Sequence, residues 1–68
     1  MKNVKIKDEY ITLGQFLKIA DLVSTGGEAK IFLLENEILV NGLKENRRGR
    51  KLYKDDIIEI SKIGYKIC

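Results

Sequence analysis

The stretch Thr12–Glu35, TLGQFLKIADLVSTGGEAKIFLLE, decides the fold. Twice within it a threonine stands three residues ahead of a side chain that can reach back: Thr12 before Gln15, and Thr25 before Glu28. This is the capping-box pattern, in which the hydroxyl accepts an early helical N–H while the later side chain accepts the threonine's own N–H. After the first box, Leu13, Phe16, Leu17 and Ala20 recur at i, i+3, i+4 and i+7, which predicts a helix from about Leu13 to Leu22. After the second, Ala29, Phe32 and Leu33 continue a helix to about Glu35. The link is so short that the two helices must turn sharply and pack on each other.

Outward from this pair the pattern changes to strands. Val4 and Ile6 alternate with Asn3, Lys5 and Lys7, predicting a short peripheral strand. Asn36 suits the left-handed position just past the second helix. Ile38, Leu39 and Val40 predict a strand, Asn41-Gly42 a tight turn, Ile57–Ile60 another strand, Lys62–Gly64 a turn and Tyr65–Ile67 a last strand. Helices followed by strands make an α+β domain, with two packed helices against a small antiparallel β-sheet. Phe16, Leu17, Phe32, Leu33, Val40 and Ile58 are its expected core. With no proline, repeat or low-complexity tract, residues 1–68 are expected to form a single domain.

The charge is unevenly placed. The chain carries 13 basic and 10 acidic residues, for a net charge of +3. From Asn41 to Lys54, NGLKENRRGRKLYK, six basic side chains face one acid, so this segment is +5 and the remainder is −2. A slightly acidic body with one concentrated basic segment is the arrangement expected when positive charge serves a local task, with a polyanion as partner. Strict alternation through this segment would set Arg48 and Arg50 on the same face as Leu52, and burying two unpaired guanidinium groups is prohibitive. The strand must therefore be interrupted, and Gly49 supplies the freedom to bulge or turn. Arg47, Arg48 and Arg50 then project from a loop, where their planar forks match phosphate oxygens, and Lys51 adds a fourth charge. Tyr53 reads either as a stacking face or as a half-buried strand residue. Gly26, Gly27 and Lys30 open the second helix, where free N–H groups and the helix dipole favour an anion. Lys18 shares the polar side of the first helix with Gly14 and Asp21.

Other chemistries have little to stand on. The sequence holds no histidine, which removes the commonest general base and the commonest transition-metal ligand. Ser24 and Thr25 lack an activating base, and capping accounts for them. Asp55, Asp56 and Glu59 read as a turn before a strand, with no further oxygen ligands. The lone Cys68 can form neither an internal disulfide nor a Cys-rich zinc site. No apolar run approaches the length of a membrane span. A cofactor-free, non-enzymatic, cytoplasmic protein is the expectation.

Taken together and in order, ITLGQFLK, STGGEAK, ILVNG, NRRGRKL and DDIIEI resemble the S4 RNA-binding domain, and in particular the small stand-alone S4-like proteins of the YaaA/YbcJ type found in bacteria. The resemblance runs from about Ile11 to Ile60. It implies a two-helix αL motif on a short curved sheet, with RNA held across the helix pair and the adjoining basic loop. Position by position, the GGEAK match implicates Gly26, Gly27 and Lys30, the VNG match Asn41, and the RRGRK match Arg47, Arg48, Arg50 and Lys51. The family commonly has glycine where this chain has Asn36 and Asp55, both residues that tolerate turns. The expected partner is structured RNA, ribosomal or transfer RNA, bound by a monomer, with a ribosomal or RNA-processing protein as a possible second partner. The alternative is an adaptor whose basic loop docks an acidic protein.

Overall fold

Each helix begins where a threonine caps it. In the computed structural model, which describes residues 1–68, α1 (Leu13–Ile19) has the complete box: Gln15 N–H donates to Thr12 Oγ1 at 3.2 Å, and Thr12 N–H donates to Gln15 Oε1 at 2.8 Å. α2 (Gly26–Glu35) has half of it, with Glu28 N–H donating to Thr25 Oγ1 at 3.1 Å.

The first helix stops earlier than its apolar stripe suggests. Asp21 takes a left-handed φ of 62°, and Leu22 N–H donates back to Leu17 C=O at 3.0 Å while Asp21 N–H donates to Lys18 C=O at 3.1 Å. These are the two bonds of a Schellman motif, and Leu22 lies beyond the helix as its hydrophobic partner. The second helix ends without a left-handed residue. Asn36 is extended (φ −127°, ψ 145°), contrary to expectation, and both its N–H and its Nδ2 donate to Phe32 C=O at 3.0 Å. The side-chain amide does what a left-handed turn would otherwise do, satisfying a terminal carbonyl.

The remaining elements are β1 (Lys2–Val4), β2 (Tyr10–Thr12), β3 (Ile38–Val40), β4 (Leu43–Lys44), β5 (Lys51–Tyr53), β6 (Ile57–Ile60) and β7 (Ile63–Ile67). They form a five-stranded sheet in the order β1-β7-β6-β3-β4 and a separate ribbon of β2 and β5. All pairings are antiparallel except β1 with β7, which is parallel, so the expected antiparallel sheet gains a parallel edge strand. Two hairpins share one turn chemistry. Asn41 (φ 52°) and Gly42 (φ 84°) join β3 to β4, as expected. Ser61 (φ 51°) and Lys62 (φ 67°) join β6 to β7. That second turn falls earlier than the sequence suggests, and Gly64 lies inside β7 opposite Glu59. Consecutive left-handed residues give the twist that matches paired strands, even where neither residue is glycine.

The core sits between the helix pair and both sheets. Leu13, Phe16 and Leu17 from α1 meet Ala29 and Leu33 from α2, Ile38, Val40, Ile58, Ile60, Tyr65 and Ile67 from the large sheet, and Ile11 and Leu52 from the ribbon. Phe16 and Tyr65 meet edge to face at 5.3 Å. Phe32, expected inside, is only half-buried and packs on the core margin. It follows Ile31, which is exposed, so the buried stripe of α2 narrows to Ala29 and Leu33.

Candidate functional site

The basic loop is anchored by its backbone before any of its side chains act. Pairing of β5 with β2 puts Leu52 opposite Ile11, both buried, and brings the preceding residues to the start of α1. There Leu13 N–H donates to Arg50 C=O at 2.8 Å and Gly14 N–H to Arg48 C=O at 2.9 Å. Early helical N–H groups have no partner within their own helix, and the loop carbonyls supply one. Arg50 N–H closes the turn on Arg47 C=O at 3.2 Å. The regular strand begins only at Lys51, so the arginines do project from a loop. Gly49, however, is not left-handed: Gly42 alone among the glycines has a positive φ.

The arginines divide into two groups. Glu45, its side chain only 7% exposed, grips two of them. Arg47 Nε and Nη2 donate to its two oxygens at 2.9 and 3.0 Å, and Arg50 Nη1 donates to Oε1 at 2.8 Å. The Arg47 hydrogen bond, with that of Arg50, holds the Glu45 carboxyl down at about 2 against a burial that would raise it. The same pairing raises the Arg47 guanidinium further above its ordinary value. Arg47 remains 73% exposed, whereas Arg50 is 33% exposed, against the expectation that all three stand in solvent.

Arg48 faces the other way. Its Nη1 donates to Gly26 C=O, in the first turn of α2, at 3.1 Å, so the loop is tied to α1 by backbone and to α2 by a side chain. Between them lies an open groove lined by Thr12, Gly14, Gln15, Lys18, Gly26, Ala29, Arg48 and Gly49. Lys18, Gly26 and Arg48, drawn from three separate segments, thus share one cleft. Gly27 and Lys30 are exposed at the same end of α2, outside the groove lining. Lys51 stands on the ribbon with its ammonium 4.8 Å from the Tyr10 ring centroid.

Asn41 is used differently. Its Nδ2 donates to Asp56 Oδ1 at 3.0 Å, its Oδ1 accepts from Ile57 N–H at 2.9 Å, and its own N–H donates to Ile57 C=O at 2.7 Å. Both ends of the carboxamide are engaged in locking the hairpin turn to the chain entering β6. Asp56 Oδ2 also accepts from Tyr53 N–H at 2.8 Å, and Asp55 supplies the left-handed residue (φ 76°) of that turn. A depression beneath the C-terminal end of α2 is lined by Glu35, Glu37 and Glu45 against one lysine, Lys44, a sign that repels phosphate.

Sequence reasoning missed Glu45, the one acid inside the basic run, whose signal is its isolation there. It also missed Gln15 as a groove residue, because capping already accounted for that side chain. No helix of the chain is long and apolar enough to cross a membrane.

Residues 4–68 match the S4 domain family. The chain belongs to it. A protein of Bacillus subtilis (strain 168) described as a probable ribosome maturation protein, RlbA, is 57% identical over 61 residues, which span 90% of this chain and 86% of that relative. The α+β architecture, with the two helices against the sheet, is the one the S4 resemblance implies.

Proposed function

We propose that this S4-domain protein binds structured RNA, ribosomal or transfer RNA, as a non-catalytic cytoplasmic module acting in ribosome maturation. The single observation that carries the reading is the convergence of Lys18, Arg48 and the Gly26 turn on one groove at the helix-pair mouth. Phosphate is the ligand such a groove suits. The remaining donors of the Arg48 fork and the Lys18 ammonium offer charge-assisted bonds, and the dipole of α2 adds a partial positive charge at Gly26 and Gly27. Lys30 and Lys51 flank the groove as further phosphate contacts, while Arg47 and Arg50 stiffen the loop and extend its positive field. Asn41 acts by holding the turn. A-form RNA hides its base edges in a deep, narrow groove, so contacts to backbone and 2′-hydroxyls dominate and the protein reads shape. The relative is described as a probable ribosome maturation protein, which supports ribosomal RNA as the partner.

Binding to a structured RNA hairpin across a salt series tests this. With three or four phosphates neutralised, log affinity falls against log salt with a slope of roughly −2 to −3.6. A flat dependence overturns the phosphate reading and favours an acidic protein as partner.

A further inference from the structure

The outer face of the β2–β5 ribbon carries an aromatic pair that phosphate docking does not use. Ile11 and Leu52 point into the core, so alternation turns Tyr10, Tyr53 and Lys51 outward together. Tyr10 and Tyr53 stand directly opposite each other, ring centroids 5.8 Å apart and planes at 47°. They are 38% and 42% exposed, and Lys51 covers one face of Tyr10. Beside Tyr10 runs a groove of about 630 Å³, lined by Asp8, Glu9, Tyr10, Ile11, Gln15, Lys18 and Ile19. Gln15 and Lys18 also line the Arg48 groove, so the two depressions adjoin along one side of α1.

We infer that Tyr10 and Tyr53 form a stacking platform for an unpaired base of the RNA whose phosphates occupy the Arg48–Lys18 groove. The inference rests on the proposed RNA binding and adds a second kind of contact to it. The walls decide what enters. Asp8 and Glu9 repel a phosphate, whereas a neutral base tolerates them, and its amino groups find carboxylate acceptors there. The rings present π-faces that stack any base. Lys51 is a flexible occupant of the Tyr10 face, and when its ammonium turns to a neighbouring phosphate the ring is uncovered. A strand leaving a duplex end or bulge therefore meets cations at Arg48 and Lys18, then aromatics at the ribbon. A cross-strand tyrosine pair also steadies a two-stranded ribbon, so the test must separate stacking from stability.

The full chain is titrated with a blunt RNA hairpin and with the same hairpin carrying a short single-stranded adenosine extension. The extension is expected to raise affinity by about five- to 150-fold, the range for stacking one base. Tyr10→Ala and Tyr53→Ala abolish that gain while leaving blunt-hairpin affinity and its salt slope unchanged, and Tyr10→Phe retains it. On the unaltered protein, ring-proton resonances of both tyrosines move further upfield with the extended hairpin than with the blunt one. A parent that binds both hairpins equally, or tyrosine resonances indifferent to the extension, overturns the platform and leaves phosphate docking standing. A parent that binds neither at low salt overturns both.

Discussion

Arg48 and Arg50 stand two residues apart in one loop, yet the two sides of that loop do opposite things. On the outer side Glu45 holds Arg47 and Arg50 in a three-residue cluster. On the inner side Arg48 crosses to α2 and faces a groove with Lys18, with no carboxylate bound to it. One largely covered carboxylate binds two arginines and leaves the third to a backbone carbonyl. Two of the segment's six cations are thus paired at short range with its one carboxylate, whose charge the net of +5 already includes.

The comparison supposes that both sides hang on a common buried anchor. Leu52, fully buried, lies directly below the loop opposite Ile11. Leu52→Ala is expected to cost about 2–5 kcal/mol and to weaken RNA binding in proportion, since both sides lose their footing. Thermal melts and affinity measured together check this. Stability lost with affinity intact would mean the groove forms without the ribbon. By the same reasoning, Phe16→Ala should destabilise far more than Phe32→Ala, since Phe16 is fully buried and Phe32 lies at the margin.

Next in size is the contrast between arginines. Arg48→Ala is expected to reduce RNA affinity by about 1.5–3 kcal/mol, roughly ten- to a hundredfold, with little change in melting temperature. Arg47→Ala removes an exposed member of the Glu45 cluster and should weaken binding only a few-fold. Equal losses from the two substitutions would erase the distinction between the two sides.

Acid offers a way to disturb the Glu45 side, with Glu45→Gln isolating its share. The Glu45 carboxyl is lowered from 4.5 to about 2, so its contribution to stability is complete above about pH 4.5 and is lost as pH falls through 2. Because Arg47 stands largely in solvent, screening holds that contribution to about 1–2 kcal/mol, well below what the full shift implies. Glu45→Gln should flatten this part of the stability–pH curve. A variant with the parent's curve would move the acid-sensitive group elsewhere.

The helix pair, the Asn41-Gly42 hairpin and the core positions of α1 were legible because each rests on local chemistry: a cap, a turn pair, a 3.6-residue period. What escaped depends on which partner a side chain takes, or on pairing between distant parts of the chain. Nothing near Asn36 announces that its side chain will bond Phe32 C=O in place of a left-handed turn. The parallel pairing of Lys2–Val4 with Tyr65–Ile67 joins the two ends of the chain, and no local pattern encodes it. The candidate site could be proposed from its residue types, but the partners of those residues could not. Arg47, Arg48 and Arg50 are chemically alike in sequence, and only the position of Glu45 sorts them. Asn41 lay in a matching motif, while its geometry shows an amide with both ends bonded inside the protein.

The smallest expected effect concerns Gly49, the residue whose freedom seemed to explain the break in the strand. Its φ is not in the left-handed region, and an added Cβ would meet no atom within 4 Å. The turn is set instead by the Arg48 and Arg50 carbonyls accepting from α1, which fixes the backbone whether or not residue 49 carries a side chain. Gly49→Ala should therefore be neutral or should stabilise by up to about 1 kcal/mol, through a less flexible unfolded chain. Affinity for RNA should hold, because Arg48 keeps both of its tethers. Gly42→Ala is the matched control: with φ at 84°, a methyl group there should cost about 1–2 kcal/mol. Denaturant midpoints for the two variants decide the point, and a Gly49→Ala protein as destabilised as Gly42→Ala would return the break in the strand to the glycine rather than to the helix that holds the loop.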